Sequence, residues 1–261
     1  MTLKEISMRV TRLILFNILL LLSLCVKAQN ATFLSQGKIE YERRDNLYDQ
    51  FKDWDWDEGG WSDVMKKAIP KFKLTYYDMA FTKDLTFFKP GRENAENDKL
   101  PEWLGTQPGE SNIIYTNVGT KQITSQKNVF GTLYLVKDST RKIKWKITDE
   151  TRTIAGFLCR RANAIVMDSI YVVAFYTDEI ITSGGPESFS GLPGMILGLA
   201  LPHQHITWFA TKVEAVPVSE ASLVMPSKGK QVNNATLRES LNDKMKDWGK
   251  GGRRIMLFTM I

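Results

Sequence analysis

Through the middle of the chain, apolar residues return at every second position. In Lys142-Ile143-Lys144-Trp145-Lys146-Ile147-Thr148 polar side chains separate the apolar ones, which is the period of a strand with one wet face. The same reading covers Gly37 to Tyr48, Phe72 to Phe81, Asn112 to Val118, Val129 to Val136, Phe157 to Met167, Tyr171 to Tyr176 and Ile206 to Val218. The gaps are short. Asp138-Ser139-Thr140 and Met167-Asp168-Ser169 have the composition of tight turns, so the pattern predicts antiparallel neighbours joined by hairpins.

Two segments leave this period. Ser62 to Ile69, stopped by Pro70, predicts a short helix. From Thr236 to Trp248 the residues Leu237, Leu241, Met245 and Trp248 share a helical face, Thr236 and Glu239 have capping-box spacing, and Gly249 closes the run. Residues 91–111 are polar and aperiodic and predict a long surface loop. The expectation is one mainly β domain over residues 29–261: a single curved antiparallel sheet or open barrel-like meander, with a short helix in its N-terminal half and an amphipathic C-terminal helix that packs on the sheet.

The start of the chain adds a compartment. Lys4, Arg9 and Arg12 precede the apolar run Leu13 to Val26, and Val26-Lys27-Ala28 is a small-residue cleavage pattern, so residues 1–28 read as a signal peptide. Asn17 and Ser23 interrupt a run already short for a membrane span, and no span is expected in the mature chain. Removing Lys4, Arg9, Arg12 and Lys27 together with Glu5 lowers the formal charge from +6 by 3 to +3, too mild for a nucleic-acid binder. The mature chain would keep one cysteine, Cys159, so its stability must come from the core without a disulfide.

Little of the chain carries a chemical signature. Ser190-Gly191-Leu192-Pro193-Gly194-Met195-Ile196-Leu197-Gly198 lacks the G-x-S-x-G frame of a nucleophile elbow and the glycine spacing of a phosphate loop; Gly191 and Gly194 around Pro193 instead predict a rigid bend feeding an apolar run into the core. His203-Gln204-His205, placed on a strand, would project two imidazoles from one face toward a shared zinc or copper ion, with a third ligand from elsewhere. Asp53-Trp54-Asp55-Trp56-Asp57-Glu58-Gly59-Gly60-Trp61 fails as an EF-hand, because Lys66 stands where the twelfth-position Glu belongs. Its tryptophans Trp54, Trp56 and Trp61 form either a stacking surface for a sugar or peptide, or a cover over a sheet edge. Cys159 reads as a buried small hydrophobe.

Successive segments do resemble a known family. Lys144-Trp145-Lys146-Ile147-Thr148, then Ile154 to Ala162, Ala174 to Ile180, Ser183-Gly184-Gly185-Pro186 and Gly191-Leu192-Pro193-Gly194-Met195-Ile196 look like the ordered signatures of the GLPGLI family of exported Bacteroidota proteins, with Met195 in place of the family's second Leu. The resemblance covers about residues 142–200. It implies export to the periplasm or outer membrane, a β-rich fold and an association with outer-membrane TonB-dependent receptors, and it brings no catalytic residues. Asp138-Ser139-Thr140 and Asp168-Ser169-Ile170 are also similar to Bacteroidota O-glycan sites at Ser139 and Ser169. With no catalytic set assembled and no cofactor predicted, the reading favours an envelope binding or accessory protein for a peptide, lipid, sugar or partner protein. The alternative is a metal-binding protein or metal-dependent enzyme built on His203 and His205.

Overall fold

In the computed structural model, which describes residues 33–52, 61–101, 104 and 109–261, the alternating segments join one twelve-stranded sheet. In chain order the strands are β1 (Gly37–Asn46), β2 (Phe72–Phe81), β3 (Leu85–Pro90), β4 (Ile113–Asn117), β5 (Gln122–Val129), β6 (Thr132–Ser139), β7 (Lys146–Ile154), β8 (Phe157–Val166), β9 (Ile170–Thr177), β10 (Met195–Leu201), β11 (Ile206–Glu214) and β12 (Lys230–Val232). The α-helices among the described residues are α1 (Leu47–Lys52), α2 (Trp61–Ala68), α3 (Asn234–Met245) and α4 (Gly249–Met260). The leader assigned to residues 1–28 lies outside the described residues, as do Trp54, Trp56 and the side chain of Trp61.

The strand order is β12-β6-β5-β4-β3-β2-β1-β11-β10-β9-β8-β7. Every pair is antiparallel except β12 with β6. The sheet does not close into a barrel, yet it must curl. Strands β6 and β7 stand ten places apart in the order, which on a flat sheet is roughly 48 Å. The seven steps from Ser139 to Lys146 reach at most about 25 Å.

Register shows which face lies inside the curl. Tyr41 pairs with Tyr77, Met79 with Phe88, Phe88 with Ile114, Ile114 with Ser125 and Ser125 with Val136. In the other direction the row runs from Tyr41 to Ala210, and from the neighbouring Trp208 through Leu199 and Ala174 to Ala162. These side chains are all buried, and most of them form one core cluster. Leu237, Leu241 and Met245 of α3 pack with Met260 of α4 on Val129, Tyr134 and Val136, so the two C-terminal helices roof the β5–β6 part of the same face.

Several local expectations are corrected. The lysine-spaced run begins as a crossover: Ile143 and Trp145 do pack against the core, but the ladder starts only at Lys146. Alternation there reflects facing without pairing. Asp138-Ser139-Thr140 therefore makes no hairpin, whereas Met167 and Asp168 do, with φ of 50° and 65° between the paired Val166 and Ile170. The run Val129 to Val136 is broken by Phe130 and Gly131, at φ of 50° and 76°, into the turn of a β5–β6 hairpin. β1 stops at Asn46 because its side chain accepts from the Asp49 N–H and starts α1. Asn233, not Thr236, caps α3 by accepting from the Thr236 N–H. Gly249, at φ 53°, begins α4 instead of ending the fold's helical part, and Trp248 is half exposed against Phe130. The segment 91–111 is not wholly a surface loop, since Leu104 and Glu110 are buried.

Candidate functional site

The inner face is apolar through its middle and polar toward one end. Along β1 the inward positions read Ile39, Tyr41, Arg43, Asp45, and along β2 they read Phe81, Met79, Tyr77, Thr75, Lys73. Burial of charge there is balanced by pairing. Arg43 holds Asp45 through two 2.9 Å hydrogen bonds with both side chains 3% exposed, and Lys73 lies 2.9 Å from Glu110. Burial, the largest single influence, would lower the Arg43 pKa; Asp45, Tyr77 and Glu110 together outweigh it and hold that pKa well above its ordinary value. Arg43 also sits over the Trp208 ring at 5.2 Å.

A second polar layer adjoins the first and is not balanced in this way. Glu187, in the β9–β10 loop, is buried at φ 54°; one carboxylate oxygen accepts from the Asn112 amide at 3.0 Å and the other has no hydrogen-bond partner. Burial raises its pKa, against the pull of Asn112, Arg43 and Lys127. Lys127 of β5 is 4% exposed, and burial brings its ammonium down to about 8, with Glu187 opposing and Arg141 reinforcing the shift. Arg141, in the 140–145 crossover, is lowered by burial and by Arg238 of α3.

These cations surround a cleft of about 260 Å³ between β5, the crossover and the C-terminal helices. Ser125, Lys127, Arg141, Lys142, Ser188 and Arg238 supply its polar lining, and Ile123, Met167 and Met260 an apolar wall. On one side the lining grips the end of α4: Lys127 Nζ donates to the Thr259 carbonyl at 2.7 Å, Arg141 Nη2 to the Met260 carbonyl at 2.7 Å, and Ser188 Oγ to the Ile261 carbonyl. Cations at a helix C-terminus satisfy orphan carbonyls and the negative dipole end. Among the described residues, none of Lys127, Arg141, Lys142 and Arg238 forms an ion pair.

The residues singled out from sequence fall elsewhere. Gly191 and Gly194 have φ of 94° and 141°, and a Cβ on Gly194 would lie 2.0 Å from the Thr177 carbonyl oxygen, so the Gly191-Leu192-Pro193-Gly194-Met195-Ile196 motif is a bend that starts β10 against β9. Trp145 closes over it, its indole N–H donating to the Ser190 carbonyl at 3.0 Å. His203 and His205 are not on a strand: Pro202–Gln204 is a 3₁₀ turn and His205 is left-handed at φ 57°, which undoes the shared face. Among the described residues no group of three or more His, Cys, Asp or Glu is placed to hold an ion. Cys159 is fully buried and its thiol is pushed up to about 12 by burial. Ser139 and Ser169 are exposed.

Comparison with known proteins adds a partial family match and a fold. The pattern of a family described as "Protein of unknown function (Porph_ging)" matches residues 165–198, from the end of β8 through Glu187 and the glycine bend into β10. No curated protein matches the chain. Two solved structures, of PNGF-II in P21 and C2 space groups, are each similar over 78% of this chain at 16% identity and a TM-score of 0.50. The matched part is 32% of the PNGF-II chain, so this protein spans about a third of that length. At that identity the likeness is one of fold.

Proposed function

We propose that the protein is an exported envelope protein of the GLPGLI family whose role is to bind a ligand in the cleft beneath its C-terminal helices. The observation that carries this reading is the 260 Å³ cleft, in which unpaired cations and an apolar wall face one small space. A polar lining set into an apolar concavity is how proteins orient small ligands. Export rests on the basic and apolar pattern of residues 1–28, and service beside an outer-membrane TonB-dependent receptor is what the family resemblance suggests. No helix among the described residues is long and apolar enough to cross a membrane.

The test is to express the full chain in a Bacteroidota host, fractionate the cells, and examine the purified protein by native mass spectrometry. The expected result is a protein beginning at Gln29 in the envelope fraction, carrying a small molecule that a Ser125→Trp variant, with the cleft filled, does not retain. An unprocessed protein in the cytoplasm, or one whose bound molecule is indifferent to Ser125→Trp, would overturn the proposal.

A further inference from the structure

We propose that the cleft is a phosphate site: Lys127, Arg141, Lys142 and Arg238 hold the phosphate head of a small organic ligand whose apolar part lies on Ile123, Met167 and Met260. This rests on the binding reading above and names the chemistry of what is bound. Four cations brought around one 260 Å³ space repel one another, and a dianion is the group that turns that repulsion into attraction.

Support of α4 does not account for the arrangement. It engages two of the four cations, each through a single donor to a carbonyl, whereas an ammonium has three donors and a guanidinium five. Lys142 and Arg238 are exposed, bind no carbonyl of α4 and still line the cleft. Of the remaining polar lining, Ser125 brings a hydroxyl donor, while the Ser188 hydroxyl is engaged by the Ile261 carbonyl and the Asn234 N–H by the Asp138 carboxylate. Guanidinium and ammonium groups together suit an ion with three terminal oxygens better than a lone carboxylate.

The experiment titrates inorganic phosphate and glycerol phosphate into the purified full chain by calorimetry at constant ionic strength, and adds vesicles containing an anionic phospholipid in a separate arm. Saturable binding is expected, weakened about tenfold or more for each cation removed in Lys142→Gln and Arg238→Gln, as for loss of a charge-assisted hydrogen bond. Both positions are exposed, so the variants keep the fold. Arg92→Gln, which removes a cation bonded to Glu40 away from the cleft, should change nothing. Cleft-dependent binding of the soluble phosphates assigns a free phosphate ester, and cleft-dependent binding of vesicles alone assigns a lipid headgroup; either supports the site. Binding that never saturates, or that survives the double Lys142→Gln/Arg238→Gln change, overturns it. A neutral molecule retained by the native protein and lost from Ser125→Trp would overturn the phosphate site while leaving the binding role standing.

Discussion

Replacing Gly194 with alanine tests the geometry of the bend at its tightest point. The residue sits at φ 141°, and an added Cβ would stand 2.0 Å from the Thr177 carbonyl oxygen and 2.8 Å from the Thr177 carbonyl carbon. A carbon and an oxygen in contact need about 3.3 Å, so β9 and β10 would have to part by more than an ångström where Met195 pairs with Thr177. Both residues are buried and cannot move into free space. Backbone strain of about 1–3 kcal/mol and overpacking of about 1–3 kcal/mol together put the loss near 4 kcal/mol. Two controls isolate the clash. Gly191, at φ 94°, has Trp145 Nε1 as its nearest atom at 3.7 Å, and Gly156, at φ 88°, has nothing within 4 Å, so Ala there should cost only the dihedral preference, about 1–2 kcal/mol. Urea unfolding followed by tryptophan fluorescence gives the three values. If Gly194→Ala falls within 1 kcal/mol of Gly191→Ala, the close approach to Thr177 is not what fixes the motif.

Lys127→Met should change how stability depends on pH. The folded ammonium titrates at about 8 against an ordinary 10.5, so between those values the unfolded chain holds more protons and the wild type gains stability as the pH rises. Relative to the variant it should gain about 1.4 kcal/mol per pH unit between pH 8 and 10; parallel profiles would contradict the burial of that charge. Arg43→Met leaves the Asp45 carboxylate buried and unpaired and should cost about 3–5 kcal/mol in the same assay. Adding Asp45→Leu should recover most of the loss, and failure to recover would mean that the pair is not a self-contained unit. Cys159 should resist a thiol reagent in the native protein and react on unfolding; rapid native labelling would refute its burial.

The strands that were easiest to read have a run of successive apolar inward positions, as Tyr77, Met79 and Phe81 give β2. β2 and β8 appear in the alternation with their boundaries nearly intact. β5 does not, although it obeys the same period: its inward positions are Ile123, Ser125, Lys127 and Val129, and the two polar residues hide the pattern. β10 is hidden for the opposite reason, because both of its faces are buried and its apolar run has no period to detect. The cleft was illegible for the same cause as β5. Its cations come from β5, a crossover and a helix, and their approach depends on a curl that no local pattern encodes. The glycine bend, a matter of local backbone geometry, was legible from sequence alone. The histidine pair was misplaced because Pro202 starts a turn where a strand was expected.

The two polar layers differ in a way that separates stability from function. Taking a charge out of water is costly unless an opposite charge meets it with good geometry. Arg43 with Asp45 satisfies that condition within β1, and Lys73 with Glu110 satisfies it while tying β2 to the end of the long loop. Lys127 and Arg141 do not satisfy it, and Glu187 is the one buried acid among the described residues without an ion-pair partner. Met167 and Ser188, which line the cleft, and Glu187 behind it all belong to the 165–198 segment that carries the family pattern. The segment that bends the chain at Gly191 and Gly194 therefore also supplies one wall of the place where charge is left uncompensated. Asn112 holds Glu187 and the Ile261 carbonyl holds Ser188, so the stretch that carries the bend is fixed against the approach to β4 and the end of α4.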